Sequence, residues 1–132
     1  MIKADMIIKA DYVLKMDSDF TLIRNGAIAV KDNKIVFVGP EEEAALRFKT
    51  DSIIGGQGKV AFPGFVNTHT HAAMVYFRGL ADDLPLKVWL EDNIWPAEDK
   101  WLSPEFVGDA VELACLEMIK TGTTLYSDMY FF

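Results

Sequence analysis

Cysteine is almost absent from this sequence of 132 residues, and long apolar runs are absent altogether. The single cysteine, Cys115, excludes a disulfide within the chain. Its position in an apolar helical stretch favours a buried, inert thiol over a nucleophile. No apolar run approaches the roughly 20 residues of a membrane span, and residues 1–5 lack the features of a secretory signal. We therefore expect a cytoplasmic protein with no membrane partner.

Basic residues are scarce as well. The chain has 13 Lys and Arg against 20 Asp and Glu, with a net charge of −7. Binding to a nucleic-acid backbone needs clustered Lys and Arg, so nucleic acid is not expected as a partner. The composition, 51% apolar and 25% charged, is typical of a globular domain. The oligomeric state stays open, a homo-oligomer included.

The first half of the chain has the pattern of short strands separated by turn residues. Strands are predicted over residues 6–14, 27–30, 35–38 and 60–62. Asp32-Asn33 suits a two-residue hairpin turn with positive φ, and Asn25-Gly26 predicts another turn. A short helix is predicted over residues 40–49, and the glycines of residues 55–58 predict a link. This half is therefore predicted to be β.

The second half alternates strand and helix. Strands are predicted over residues 64–71 and 123–128, with a helix from Leu86 that stops at Pro96. Ser103 and Pro104 predict the start of a second helix, which should run to about residue 121. Strand, helical crossover and strand form a βαβ unit, so the two strands should be parallel in an α/β sheet or barrel.

His69 and His71 are the only histidines of the chain. Residues i and i+2 of a strand share one face, so both imidazoles should project together. Two neutral imidazoles suit a divalent metal, and zinc is a natural candidate, although a catalytic zinc usually has three protein ligands. The alternative is an ordinary pair of surface or core histidines. The position at the C-terminal end of a strand favours the metal, because barrel active sites are built there.

Residues 60–71, Val-Ala-Phe-Pro-Gly-Phe-Val-Asn-Thr-His-Thr-His, resemble the first barrel strand of the amidohydrolase superfamily. Residues 78–86, Trp89-Leu90 and residues 94–98 are similar to its 5-methylthioadenosine/S-adenosylhomocysteine deaminase branch. The resemblance implies an α/β fold: the start of a metal-dependent (β/α)8 TIM-like barrel, preceded by part of a small β-sandwich. The implied domains are residues 1–62, the N-terminal part of the sandwich, and residues 63–132, the first βαβ portion of the barrel. The barrel would be incomplete, since a whole one needs roughly 250 residues.

The resemblance also implies the chemistry. His69 and His71 would be ligands of a divalent metal, one zinc per site, and Glu98 would bind the ribose hydroxyls of a nucleoside. The parent enzyme would be a hydrolase acting on C–N bonds that releases ammonia from 5-methylthioadenosine or S-adenosylhomocysteine. Its general acid/base and remaining metal ligands would come from beyond residue 132. The chain itself would then hold no catalytic residue and would be inactive alone.

Several alternatives stay open. Another amidohydrolase, acting on guanine, cytosine or a triazine, would carry the same histidine strand. Without the resemblance, Glu98 would be interpreted as an exposed acid. Trp89 would be interpreted as a core residue. A non-catalytic truncated fragment or a complementing subunit is the alternative of another class. The apolar run over residues 129–132 favours instead an N-terminal portion of a longer enzyme.

Overall fold

A computed structural model describes residues 1–130 of the chain. These residues are mixed α/β, and their strands do not close into a barrel. They form two compact units, which divide between Pro63 and Gly64. No helix within the described part of the chain is both long and apolar enough to cross a membrane.

The first unit is built around a four-stranded sheet. Its elements are β1 (Ile2–Lys3), β2 (Met6–Leu14), β3 (Leu22–Lys31), β4 (Lys34–Pro40), α1 (Glu41–Arg47), β5 (Phe48–Lys49) and β6 (Ile53–Ala61). The strand order is β4-β3-β2-β6, with β6 parallel to β2 and the other pairs antiparallel. β1 pairs in parallel with β5. A core of apolar side chains is buried in this unit and comprises Ala4, Ile7, Ala27, Ala29, Ala44 and Phe48.

Local turn signals were right at one place in this unit and wrong at two. Asp32 and Asn33 join β3 to β4 with φ of 51° and 58°, which confirms the predicted hairpin turn. Asn25-Gly26, however, lies inside β3, because β3 pairs with a strand on each side and this pairing overrides the turn propensity. Residues 55–58 are likewise part of β6 and not a link. Gly55 has a φ of 83°, and a Cβ there would overlap the Lys9 carbonyl oxygen, so glycine lets two strands approach closely.

The second unit begins and ends in parallel strands. Its elements are β7 (Phe65–Thr70), a 3₁₀ helix (Ala72–Phe77), α2 (Leu86–Trp89), a π turn (Leu90–Ile94), α3 (Trp95–Trp101), α4 (Pro104–Lys120) and β8 (Thr123–Asp128). β7 and β8 pair in parallel, which confirms that prediction. Ser103 Oγ accepts a hydrogen bond from Phe106 N at 3.1 Å, as predicted for the N-cap of α4. The 3₁₀ helix packs on α4 through Phe77 and Phe106, whose ring centroids are 5.3 Å apart.

The predicted stop at Pro96 is wrong. The backbone stays helical from α2 through α3, and Pro96 occupies the first turn of α3 directly after the π turn. A π turn changes the hydrogen-bonding register of the helix, and proline is tolerated in a first turn, where its missing N–H is not needed. As a result Glu98 lies on a continuous helical segment, in the middle of α3.

Candidate active site

The two histidines lie at the end of β7, with one of them outside it. β7 ends at Thr70, and His71 precedes the 3₁₀ helix with φ −126° and ψ 77°. The prediction that one strand carries both side chains is therefore wrong in this detail. Directly after this turn, Ala72 N donates a hydrogen bond of 3.0 Å to Asp128 Oδ1, at the end of β8. The rings nevertheless adjoin, edge to face, with centroids 5.2 Å apart.

The His71 ring is oriented by the backbone that directly follows β8. Its Nδ1 lies 2.6 Å from the carbonyl oxygen of Met129. A carbonyl only accepts, so Nδ1 must carry the proton and donate it. In the neutral ring Nε2 then keeps its lone pair, which is the form in which histidine binds a metal, and a carbonyl on the other ring nitrogen is the common supporting contact.

This donor set fits a divalent cation but does not complete its coordination. Two imidazoles that adjoin, one of them held with Nε2 unprotonated, suit zinc and similar ions. Among residues 1–130 no group of three or more His, Cys, Asp or Glu side chains is placed to hold a metal ion. Two imidazoles are fewer than the three or four ligands that a zinc site takes from protein.

Glu98 is buried and lines a cavity together with His71. Glu98 is only 9% exposed, so the alternative that it is an exposed surface acid is wrong. The cavity has a volume of about 280 Å³ and is lined by His71, Met74, Leu90, Ile94, Trp95, Glu98, Met129 and Tyr130. The neighbouring acid on α3, Asp99, is exposed. Helical continuity through Pro96 is what carries Glu98 to the same cavity as the histidine.

A second cavity, of about 460 Å³, meets the first at His71 and Met74. Its lining also includes His69, Arg78 and Trp89. Trp89 is only half-buried, so the expectation of a core tryptophan is wrong. Arg78 is held at the cavity by a two-pronged contact with Glu117, with Nη2 donating to Oε2 at 2.8 Å.

Cys115 takes no part in either cavity and is half-buried, with Sγ 3.5 Å from the Tyr126 hydroxyl. The expectation of full burial is therefore wrong.

Three consecutive residues, from the last residue of β8 onward, could not be assigned a role from the sequence. Asp128 bonds Ala72 N, Met129 bonds the His71 ring, and Tyr130 donates its hydroxyl proton to Glu98 Oε1 at 2.7 Å. The sequence offers no signal for a backbone carbonyl, and Tyr130 reads as one member of an apolar run. The rest of that run, Phe131 and Phe132, lies outside the described residues.

Comparisons with known proteins bear on this arrangement. The sequence profile of the amidohydrolase family matches residues 60–132. A 5-methylthioadenosine/S-adenosylhomocysteine deaminase of Thermodesulfovibrio yellowstonii is 54% identical over 96% of this chain and 29% of its own length. A 5′-deoxyadenosine deaminase of Methanosarcina mazei is 51% identical over 98% of this chain and 29% of its own length. The chain thus spans under a third of the length of these relatives.

Solved structures give the same picture of the fold. An adenosine deaminase of Xanthomonas campestris, crystallised with bound zinc, matches with a TM-score of 0.88 and 39% identity over 99% of this chain and 30% of that one. An atrazine chlorohydrolase of Arthrobacter aurescens, complexed with zinc, matches with a TM-score of 0.81 over 96% of this chain and 29% of that one. At 22% identity, the second likeness concerns the fold alone.

Proposed function

Since this chain belongs to the amidohydrolase family, we propose that it supplies the first metal-binding and substrate-binding groups of a hydrolytic deaminase of adenine nucleosides. The observation that carries the proposal is the shared cavity of His71 and Glu98. It brings a metal-competent imidazole and a buried carboxylate to one space of a size suited to part of a small ligand. The names of the relatives support the reaction class.

His69 and His71 are the proposed ligands of one divalent ion, zinc by analogy with the zinc bound to the Xanthomonas campestris adenosine deaminase. When bound, such an ion supplies the Lewis acidity that makes hydroxide available near neutral pH. The part of this chain is to hold the two imidazoles in place. For His71 the Met129 carbonyl does so by fixing the protonated nitrogen.

Glu98 is the proposed acceptor of the ribose hydroxyl protons. A carboxylate has two oxygens and can accept from both hydroxyls of a vicinal diol. The relatives are named for nucleosides that differ at the 5′ position, and all of these nucleosides keep the 2′,3′-diol. A carboxylate that reads the diol therefore suits the whole group of substrates, and the choice among them depends on residues near the 5′ substituent.

The remaining expectations stay predictions. A cytoplasmic location, the absence of nucleic-acid and membrane partners, and a homo-oligomeric state belong to the whole protein. The assignment of the first unit to a β-sandwich, and of the second unit to the start of a barrel domain, also stays a prediction about the whole protein. The general acid/base is proposed to lie beyond residue 132.

Replacement of Glu98 tests the substrate class. In the full-length gene product, Glu98→Ala should lower kcat/KM for 5-methylthioadenosine by about 10- to 100-fold, since a hydrogen bond to a charged group contributes about 1.5–3 kcal/mol. Turnover of the free base adenine, which has no ribose, should change little. Ammonia release measured with both substrates provides the comparison.

Asp99→Ala is the matched control, because Asp99 is the adjacent carboxylate of the same helix and is exposed. It should leave both activities near the wild-type values. An equal loss on nucleoside and base in Glu98→Ala would contradict the ribose assignment. It would favour a base or triazine hydrolase instead.

A further inference from the structure

Half-buried Tyr130 and buried Glu98 are paired at the cavity that also contains His71. The Tyr130 hydroxyl donates to Glu98 Oε1 at 2.7 Å across 32 positions of sequence. This is a short hydrogen bond for an O–H donor, as expected where the acceptor is a carboxylate. It connects the residue that follows β8 to the middle of α3.

The direction of this hydrogen bond is set by the surroundings. Burial is the largest cause that raises the pKa of Tyr130 above its ordinary value of 10, and the hydrogen bond to the Glu98 carboxylate and its negative charge add to the rise. The phenol therefore keeps its proton at neutral pH and acts as the donor. Glu98 Oε1 accepts this hydrogen bond, which leaves Oε2 and one lone pair of Oε1 for other donors.

Tyr130 belongs to a short stretch of chain that contacts both His71 and Glu98 at the cavity. The carbonyl of the preceding residue, Met129, holds the His71 ring, and Asp128 holds the backbone at Ala72. One short stretch of chain thus contacts both the candidate metal ligand and the candidate diol acceptor. Displacement of Tyr130 would free the carboxylate without directly removing the contact to His71.

We infer that Tyr130 is a positioning residue that fixes the Glu98 carboxylate so that its free lone pairs face the ribose hydroxyls of the substrate. The inference rests on the proposed function. The inference adds to that function one residue, Tyr130, which contacts no reacting atom and acts through Glu98. A long glutamate side chain left unfixed would have to be ordered when the substrate binds, and prior fixing removes that cost from binding.

The test removes the Tyr130 hydroxyl and keeps the aromatic ring, in the full-length gene product. Tyr130→Phe is compared with wild type on a ribonucleoside that the wild type turns over and on its 2′,3′-dideoxy analogue. KM for the ribonucleoside should rise by about tenfold, the effect of one hydrogen bond, with kcat within about twofold of wild type. KM for the dideoxy analogue, which has no diol, should not change.

Two further variants complete the design. Tyr76→Phe is the matched control, because Tyr76 is an exposed tyrosine of the same unit whose ring packs on Phe106. It should leave both KM values unchanged. Tyr130→Phe introduced into a Glu98→Ala protein should add no further rise in KM, because the hydroxyl acts only through Glu98.

Each other result overturns the inference in a distinguishable way. If wild type deaminates no nucleoside, the proposed function fails and the inference fails with it. If wild type is active and Tyr130→Phe raises both KM values equally, raises neither, or adds its effect to that of Glu98→Ala, only the inference fails. A Tyr130→Phe protein that loses its fold, seen as a collapse of the thermal midpoint, would assign the hydroxyl a structural role and overturn the inference as well.

Discussion

At the scale of single residues, backbone groups orient polar side chains by hydrogen bonding to particular atoms of them. His71 is held as the Nδ1–H tautomer by a carbonyl that lies 58 positions away in sequence. Asp17 shows the same effect in the other unit. Its Oδ1 accepts a hydrogen bond from Thr21 N at 2.8 Å, and Lys15 Nζ lies 2.9 Å from its Oδ2.

These contacts predict that the stabilisation of the loop by Asp17 is lost at acid pH. The backbone hydrogen bond from Thr21, the larger cause, and the contact with Lys15 lower the pKa of Asp17 from 3.8 to about 2. Because the folded pKa is depressed, the stabilising contribution is present above pH 3.8 and is lost as the pH falls through about 2.

An NMR titration of the Asp17 carboxyl carbon in wild type and in Lys15→Ala checks this prediction. In Lys15→Ala the pKa should rise and still stay below 3.8, since the Thr21 contact remains. A Lys15→Ala value of 3.8 would show that the lysine, and not the backbone, carries the shift.

At the scale of elements, β7 and α3 show why the site could be predicted only in part. The order of strand, helical crossover and strand correctly predicted that the strand carrying the His-x-His pattern is parallel to the one at residues 123–128. The bend after Thr70 and the continuation of the helix through Pro96 were not predictable. The bend is accompanied by a contact with Asp128, which is distant in sequence. The continuation through Pro96 follows a π turn, and the propensities of single residues do not predict such a change of helical register.

The parallel pair of β7 and β8 also depends on a close approach at Gly64. A Cβ at this position would overlap Thr124 Oγ1 and Cγ2 and would lie 2.8 Å from Thr124 Cβ. Gly64→Ala should therefore destabilise the full-length protein by about 1–3 kcal/mol, the usual cost of forcing atoms into a packed space. Removal of the opposing side chain, in Gly64→Ala with Thr124→Gly, should relieve much of the clash.

Gly108→Ala is the matched control, because Gly108 lies inside α4 and a Cβ there meets no atom within 4 Å. Alanine is the better helix former, so this variant should gain about 0.5–1 kcal/mol. Urea denaturation gives the free energy of unfolding for all four proteins. Equal effects of the two Gly→Ala changes would refute the close approach.

At the scale of the whole molecule, the described part of the chain holds only part of the proposed metal site. Two imidazoles adjoin, and no third metal-binding side chain joins them among residues 1–130. The chain covers 29% of the length of two of its deaminase relatives. The missing ligands and the general acid/base are therefore proposed to come from sequence that these relatives have and this chain does not.

This predicts a difference between the chain and the full-length protein. The purified 132-residue chain should bind zinc weakly and release no ammonia from 5-methylthioadenosine. The full-length gene product should retain about one zinc per site after dialysis, and His71→Ala or His69→Ala should remove most of it. Elemental analysis by mass spectrometry measures the metal, and deamination by the 132-residue chain alone would contradict the prediction.

The sequence by itself determined the strands and helices with strong local signals, the identity of the two histidines, and the family to which the chain belongs. Those features depend on periodicity, capping and short motifs, which neighbouring residues encode. Only the tertiary structure decided that His71 leaves its strand, that Glu98 is buried beside it, and that the segment from Asp128 to Tyr130 holds both. Those features depend on contacts between residues 32 to 58 positions apart, and no local pattern specifies such contacts.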